Sequence, residues 1–328
     1  MRASTDLVGP DSTREVAELR HLVTRNEAVV LGRFAGDRNV SRESVIDSLV
    51  EDVMMRISRG KAVAQRLFNE ETGAIAGIVV AEEAAWDTEH FDRKMGKIIL
   101  AVFDSIVRQE QRRAALGALA KKAESDMISA RVNLNDLRTI HALEHLGAIL
   151  TDILLSFRFD FADRIPFPHI PKLRVSPAKE MEAEELAHLG SRIFQVDRFH
   201  GDPNLPSSKS DELYSKWVSN SVRGLADAVL VARDGDRIAG FITCKVDRVA
   251  PDCKVGIVDL VGVDPSFAGR GVGSELVNSA LRWFSGKVRS VYVGTQATNF
   301  RAVRLYERSR FIHACSEATL HLWSNSVV

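Results

Sequence analysis

Residues 257–281 read IVDLVGVDPSFAGRGVGSELVNSAL. Residues 257–263 are β-branched and apolar apart from Asp259, the composition of a strand covered on both faces. Beyond Gly273 the apolar positions Leu276, Val277, Ala280, Leu281 and Phe284 recur at helical spacing until Ser285 and Gly286 stop them. Gly269, Gly271 and Gly273 lie between, where missing Cβ atoms let backbone approach a ligand. The helix behind them offers unpaired N–H groups and the positive end of its dipole. A strand, a phosphate-sized loop and a helix are therefore predicted, and the loop suits a pyrophosphate. A tight turn without a ligand is the plainer alternative.

The glycine spacing narrows the ligand. A dinucleotide fingerprint requires G-x-G-x-x-G, whereas the spacing here is G-x-G-x-G; a Walker loop requires Gly-Lys-Ser/Thr, and no such triplet occurs. Downstream, residues 290–294 read as a strand followed by Asn299, Ala302, Leu305, Tyr306 and Phe311. Together the loop and this second pattern resemble the GCN5-related N-acetyltransferases (GNAT). Their loop is Gln/Arg-x-x-Gly-x-Gly/Ala, and their later pattern is Asn-x-x-Ala-x-x-Leu-Tyr-x-x-x-Gly-Phe. The sequence departs at Ala268, where Gln or Arg is usual, and at Arg310, where glycine is usual; Arg270 is the substitute cation.

The resemblance implies a mixed α/β sheet and acetyl-CoA as co-substrate, with no metal. It implies that Leu260, Val261 and Val263 offer backbone groups to the pantetheine, that Gly269, Arg270, Gly271, Val272, Gly273 and Ser274 cradle the pyrophosphate, and that Asn299 meets the pantetheine arm. It places Tyr306 beside the sulfur as general acid. A phenol is protonated at neutral pH and can supply a proton to a departing thiolate; packing against the sheet is the alternative role for the same ring. Asp259, His200, His313 and Glu317 are open candidates for a base.

The rest of the chain shows the same order of elements a second time. Residues 1–25 read as a polar arm ending in a short helix, 26–33 as a strand, 41–58 as a helix, and 62–68, 74–82 and 97–102 as strands. A charged helix over 107–125, a strand over 128–132, a helix over 135–146 and a strand over 148–159 follow. After prolines at 166, 168 and 171 come helices over 177–194 and 211–223, separated by irregular chain, and a hairpin turning at 234–236. Residues 128–159 align with 291–322, and Leu143 falls where the second copy has Tyr306. The expected organisation is an arm (1–25), a degenerate GNAT-like domain (26–165), a linker (166–174) and a catalytic GNAT domain (175–328), with one acyl-CoA per chain held by the last. An unrelated α/β domain is the alternative for the first lobe.

The irregular connection 195–210 and its helix border the acceptor side in this fold. Their text, with residues 86–91 and the glycine loop, is similar to the branch of TDP-fucosamine acetyltransferases, which implies a nucleotide-linked amino sugar as acceptor. Arg198, Phe199, His200, Tyr214 and Trp217 can supply cations and aromatic walls for such a molecule, and Arg223 joins them; packing or solvated surface is the competing role of each. A protein acetyltransferase and a non-catalytic acyl-CoA sensor stay open as other readings.

The 328 residues carry 44 acidic and 44 basic side chains, so bulk charge points to neither nucleic acid nor an acidic membrane. No apolar run reaches spanning length. Three cysteines without metal-ligand spacing fit reduced thiols in the cytoplasm. A homodimer is compatible with the sequence.

Overall fold

The computed structural model describes residues 2–4, 12–162 and 173–326. Contacts group the chain into two units: Met1–Gly36, Val40–Ile153 and Ser316–Val328 form the first, and Asp37–Asn39 with Leu154–Cys315 form the second. The prolines read as a linker lie outside the described residues.

In unit 1, β1 (Arg2–Ser4), β2 (Ala62–Phe68), β3 (Ile75–Glu83) and β4 (Met95–Phe103) pair antiparallel in sequence order. β4 then pairs parallel with β5 (Met127–Asn133), which pairs antiparallel with the end of β13 (Ile312–Trp323). α1 (Ser12–Arg25), α2 (Glu27–Val30), α3 (Arg42–Ser58), α4 (Ala85–Phe91), α5 (Gln109–Ala123) and α6 (Leu137–Glu144) complete the unit. Part of the stretch read as a polar arm is core: Leu19, Leu22 and Val23 of α1 are fully buried.

β6 (Ile149–Asp160) crosses into unit 2, where its end pairs with β12 (Ser290–Gln296). β12 pairs parallel with β10 (Cys253–Val258), which pairs antiparallel with β9 (Arg237–Ala250). β8 (Ala228–Asp234) and β7 (Arg174–Pro177) follow outward, and β11 (Val261–Val263) pairs with β9. α7 (Ala183–Ile193), α8 (Ser207–Asn220), α9 (Val272–Phe284) and α10 (Phe300–Arg308) are its helices. Each unit thus ends its sheet with a strand supplied by the other half of the sequence.

Three sequence expectations change. Residues 26–33 are helical, because Asn26 O accepts from Val29 N and Val30 N at 3.0 and 3.1 Å; so short an apolar run carries no period that separates strand from helix. Pro177 ends edge strand β7, a place where its missing N–H costs no ladder bond, and the helix starts after it. α8 begins at Ser207, directly behind Pro206, and not at 211.

Both units use the same device at the centre. The parallel contact of β4 with β5 covers Met95↔Met127 to Lys97↔Ser129, and that of β10 with β12 covers Gly256↔Val291 to Val258↔Val293. Past those pairs the strands diverge. On the upstream strand a bulge marks the place: Val80 faces Leu100 and Ala81 faces Ile98, leaving Ile99 extra. In unit 2 the extra residue is Asp259, between the register Ile257↔Lys245 and the register Val261↔Ile242. A bulge bends its strand and ends pairing, which opens a gap in the sheet.

The α9 face that packs on the sheet is as read: Leu276, Val277, Ala280, Leu281 and Phe284 are 2% exposed or less. Burial of each large side chain stabilises by about 2 kcal/mol. β11 lies so close to β9 that a Cβ on Gly240 would stand 2.4 Å from Gly262 O and 3.1 Å from Val263 Cα. Both obstacles are backbone and have nowhere to move. Gly240→Ala is therefore expected to cost about 1–3 kcal/mol and to displace β11, read as a lower midpoint of thermal unfolding.

Candidate acyl-transfer site

In unit 2 the loop between β11 and α9 is built by a turn and two left-handed glycines. Asp264 caps the turn, its Oδ1 accepting from Ser266 N at 2.8 Å and from the Ser266 hydroxyl at 2.5 Å. Those bonds hold its carboxyl below the usual carboxylate range. Gly269 has φ +76° and Gly271, the residue preceding α9, has φ +83°. Both conformations strain any side-chain-bearing residue, and the loop is exposed. The first N–H groups of α9, from Val272 onward, have no intrahelical acceptor, so they and the dipole favour an anion. Gly273 serves differently from Gly269 and Gly271: a Cβ there would meet Leu305 Cδ2 at 3.1 Å, so its smallness lets α9 lie against α10.

Cationic groups surround the loop. The Arg270 and Arg237 guanidinium carbons lie 5.3 and 4.9 Å from the centroid of the Phe267 ring. Arg237 was not singled out from sequence; it follows a hairpin turn far from the glycines, and only β9 brings it to Phe267.

The gap beyond the loop is edged by β11. Thr243 N donates to Leu260 O at 3.0 Å and Asp264 N to Ala239 O at 3.0 Å. In an antiparallel ladder these fix the hydrogen-bonded positions at Leu260, Gly262 and Asp264, so Val261 and Val263 turn their N–H and C=O away from β9. That side faces the divergence from β12. Leu260, grouped with them from sequence, is occupied otherwise: its N–H donates to Thr243 Oγ1 at 2.9 Å, and its side chain is buried.

Asn299 precedes α10, and its Oδ1 accepts from Ala302 N at 3.2 Å. The amide nitrogen of the same side chain makes no hydrogen bond among the described residues. Tyr306, one of the α10 residues, is 4% exposed and packs on Phe157 and Phe311, with centroids 5.8 and 5.9 Å away. It lines a narrow apolar gap with Val258 and Val293, the last parallel pair before the strands diverge. Burial pushes its phenol well above the ordinary tyrosine range, so the group is neutral and carries its proton. Arg310, where a glycine was anticipated, has φ +65°.

Residues 192–311 match the sequence profile of the acetyltransferase (GNAT) family. Over that stretch the chain is similar to the GNAT acetyltransferases. The family match and the relatives support an N-acetyltransferase enzyme, and the sheet is the mixed α/β sheet expected. It is similar over 297 residues to a spore coat polysaccharide biosynthesis protein, SpsD, of Bacillus subtilis, at 26% identity covering 87% of this chain and 96% of that one. It is 28% identical over 186 residues to the dTDP-fucosamine acetyltransferase of Escherichia coli, covering 56% of this chain and 75% of that one. Among solved structures, a tandem GNAT protein from the clavulanic acid biosynthesis pathway superposes with a TM-score of 0.55 at 11% identity, covering 98% of each chain. At that identity the likeness shows the fold: a GNAT architecture present twice.

The acceptor-side candidates of this acetyltransferase are placed unevenly. Phe199 and Tyr214 are buried, at 4% and 8% exposure. Tyr214 stacks on Phe194 at 4.9 Å and on Trp217 at 5.9 Å. His200 is clamped, with Nδ1 2.5 Å from Asp197 Oδ2 and Nε2 3.1 Å from Asp211 Oδ1. Asp197 also accepts Phe199 N at 2.7 Å, so the histidine and aspartate fix the loop that precedes α8. Arg198 lies over the Phe199 ring at 4.0 Å, and Arg223 is exposed beyond α8. Of the open candidates for a base, Asp259 is exposed at the bulge and His313 is exposed, edge-on to Phe157 at 5.9 Å, while Glu317 belongs to unit 1. Of residues 86–91, Asp87, His90 and Phe91 are buried and Trp86 is exposed. Among the described residues no group of three His, Cys, Asp or Glu side chains is arranged to hold a metal, and no helix is long and apolar enough to cross a membrane.

Proposed function

We propose that unit 2 transfers an acetyl group from acetyl-CoA to the primary amine of a small molecule, and that the acceptor is an amino sugar carried on a nucleoside diphosphate. The observation that supports acyl-CoA most is the convergence of two features. Left-handed Gly269 and Gly271 present the α9 N–H groups, and the backbone of Val261 and Val263 turns into the divergence of β11 from β12 beside Asn299 and Tyr306. The residues fit the co-substrate: the loop, Val272 and Ser274 would hold the pyrophosphate, Arg270 and Arg237 would add charge, and Val261, Val263 and Asn299 would hold the pantetheine. Acetyl-CoA supplies an activated thioester carbonyl.

During transfer the amine nitrogen forms a bond to the carbonyl carbon and the C–S bond breaks. The amine proton leaves to solvent, and the Tyr306 hydroxyl gives its proton to the departing sulfur and regains one from solvent. The acceptor rests on the relatives, one named for dTDP-fucosamine and one for spore coat polysaccharide biosynthesis, and on Arg198 and Trp217, which are half-buried.

Release of free thiol from acetyl-CoA, followed against TDP-4-amino-4,6-dideoxyhexoses, simple amines and lysine-bearing peptides, tests this. The nucleotide-linked amino sugar is expected to give a kcat/KM at least 100-fold above the simple amines. Preference for a peptide would make the protein a protein acetyltransferase. Binding of acetyl-CoA without turnover on any amine would make it a sensor.

A further inference from the structure

Unit 1 has kept the gap that its bulge opens, and the gap is not lined for acyl-CoA. Past Lys97↔Ser129, β4 and β5 diverge around a cavity of about 180 Å³. Its walls include Val29 and Val30 of α2, Leu49 of α3 and Ile99 of the bulge. Leu143 of α6 lines it where the aligned position in unit 2 is Tyr306. No left-handed glycine precedes α5. Instead the preceding loop carries Asp104, whose carboxylate accepts from Ile106 N at 3.3 Å. That carboxylate is paired with the Arg25 guanidinium, so the loop is closed on itself where unit 2 leaves helix N–H groups open.

The polar lining points elsewhere. Asn133 is 7% exposed and lines the cavity. Its Oδ1 is taken by Asn135 N at 2.9 Å, and its amide nitrogen makes no hydrogen bond among the described residues. That donor is left over for an acceptor that a ligand would bring. Glu317 stands opposite Asn133 in the β5–β13 register and also lines the cavity. Its carboxylate has no hydrogen bond or ion pair among the described residues, and its Oε1 lies 3.7 Å from where a Cβ on Gly32 would stand. Arg131, itself engaged by other groups, is two residues from Asn133 and so on the same strand face. A second lining carboxylate, Asp136, is already held by Arg112 and by the Thr139 hydroxyl, so the Glu317 carboxylate, the Asn133 donor and an aliphatic wall are what the space offers a ligand.

We propose that this cavity binds a small aliphatic molecule bearing a primary ammonium beside a hydrogen-bond acceptor, the chemistry of an aliphatic α-amino acid or its amide. Glu317 pairs with the ammonium, Asn133 donates to the neighbouring carbonyl or carboxylate oxygen, and Val29, Val30, Leu49 and Ile99 enclose the hydrocarbon. An engineered apolar cavity of about 150 Å³ holds benzene, so the space here takes a branched body of about four to six carbons. The site is independent of the acceptor proposed for unit 2.

Calorimetric titration of the full chain with L-leucinamide, 4-methylpentanamide and isoamylamine tests the assignment, since the second lacks the ammonium and the third the acceptor. Leucinamide is expected to bind at one per chain, at least about tenfold more tightly than either. Glu317→Gln is expected to erase the advantage over 4-methylpentanamide while the thermal midpoint and acetyl-CoA affinity stay unchanged. If that variant fails to fold, Val30→Phe, which fills the cavity from α2, is expected to weaken all binding there. Equal affinity for charged and neutral probes would overturn the proposal. So would leucinamide binding that Glu317→Gln leaves intact, which would locate the ligand in unit 2, or a second acetyl-CoA per chain that displaces leucinamide.

Discussion

Gly271→Glu is expected to abolish saturable binding of acetyl-CoA, weakening it by at least about 100-fold in calorimetry, while the protein stays folded. Two effects combine at one position. The residue has φ +83° directly before α9, a conformation that costs a side-chain-bearing residue about 1–2 kcal/mol. The carboxylate it introduces stands at the mouth of the N–H groups that would receive a pyrophosphate. Repulsion between unit charges about 4 Å apart reaches about 4 kcal/mol at an effective dielectric constant of about 20. Repulsion is the larger effect, and Gly271→Asn separates the two, because asparagine tolerates the left-handed conformation without bringing charge. The asparagine variant is expected to retain most of the affinity, and the loss to follow charge. If glutamate and asparagine weaken binding equally, the loop acts through its shape and not as an anion site. If neither does, the phosphates lie elsewhere.

The loop was legible as a glycine cluster between a strand and a helix, whereas the left-handed turns at Gly269 and Gly271 and the packing role of Gly273 came from the structure. Asn299 and Tyr306 were singled out by the family resemblance, and the structure puts the first before and the second within a helix that follows a strand. The left-handed backbone at Arg310 falls where the family pattern has glycine. What escaped it is long-range. The exchange of final strands between the units leaves no mark in β6 or β13, since a strand reads alike whichever neighbour it pairs with. The Thr243 hydroxyl that takes the Leu260 N–H, and Arg237 beside Phe267, depend on β9 lying next to β11 and the loop. Burial of Phe199 and Tyr214, and the clamping of His200 between two aspartates, follow from how the 195–210 connection folds back on α8. An irregular connection has no period from which that path can be read. The cavity in unit 1 was hidden for a related reason: Glu317 and Asn133 are far apart in sequence and meet only through the β5–β13 register.

Tyr306→Phe is expected to lower kcat by about 100-fold or more, the contribution of a positioned general acid, with little change in acetyl-CoA affinity. The ring fills a buried place against Phe157 and Phe311, and phenylalanine keeps that packing, so loss of the hydroxyl is the only large change. A fall in kcat at constant affinity marks an interaction made in the transition state and not in the bound ground state. The pH dependence supplies an independent reading. Burial raises the phenol above its ordinary value near 10, so Tyr306 keeps its proton below about pH 10 and cannot produce a descending alkaline limb there. The wild-type rate is expected to rise with pH as the acceptor ammonium loses its proton, and then to level. In the phenylalanine variant the thiolate departs without a protein donor, and the ascending limb is expected to persist at a lower plateau. A wild-type rate that falls with an apparent pKa near 8 or 9 would assign proton delivery to another group. A phenylalanine variant with unaltered kcat would leave Tyr306 as a packing residue beneath the divergence of β10 and β12.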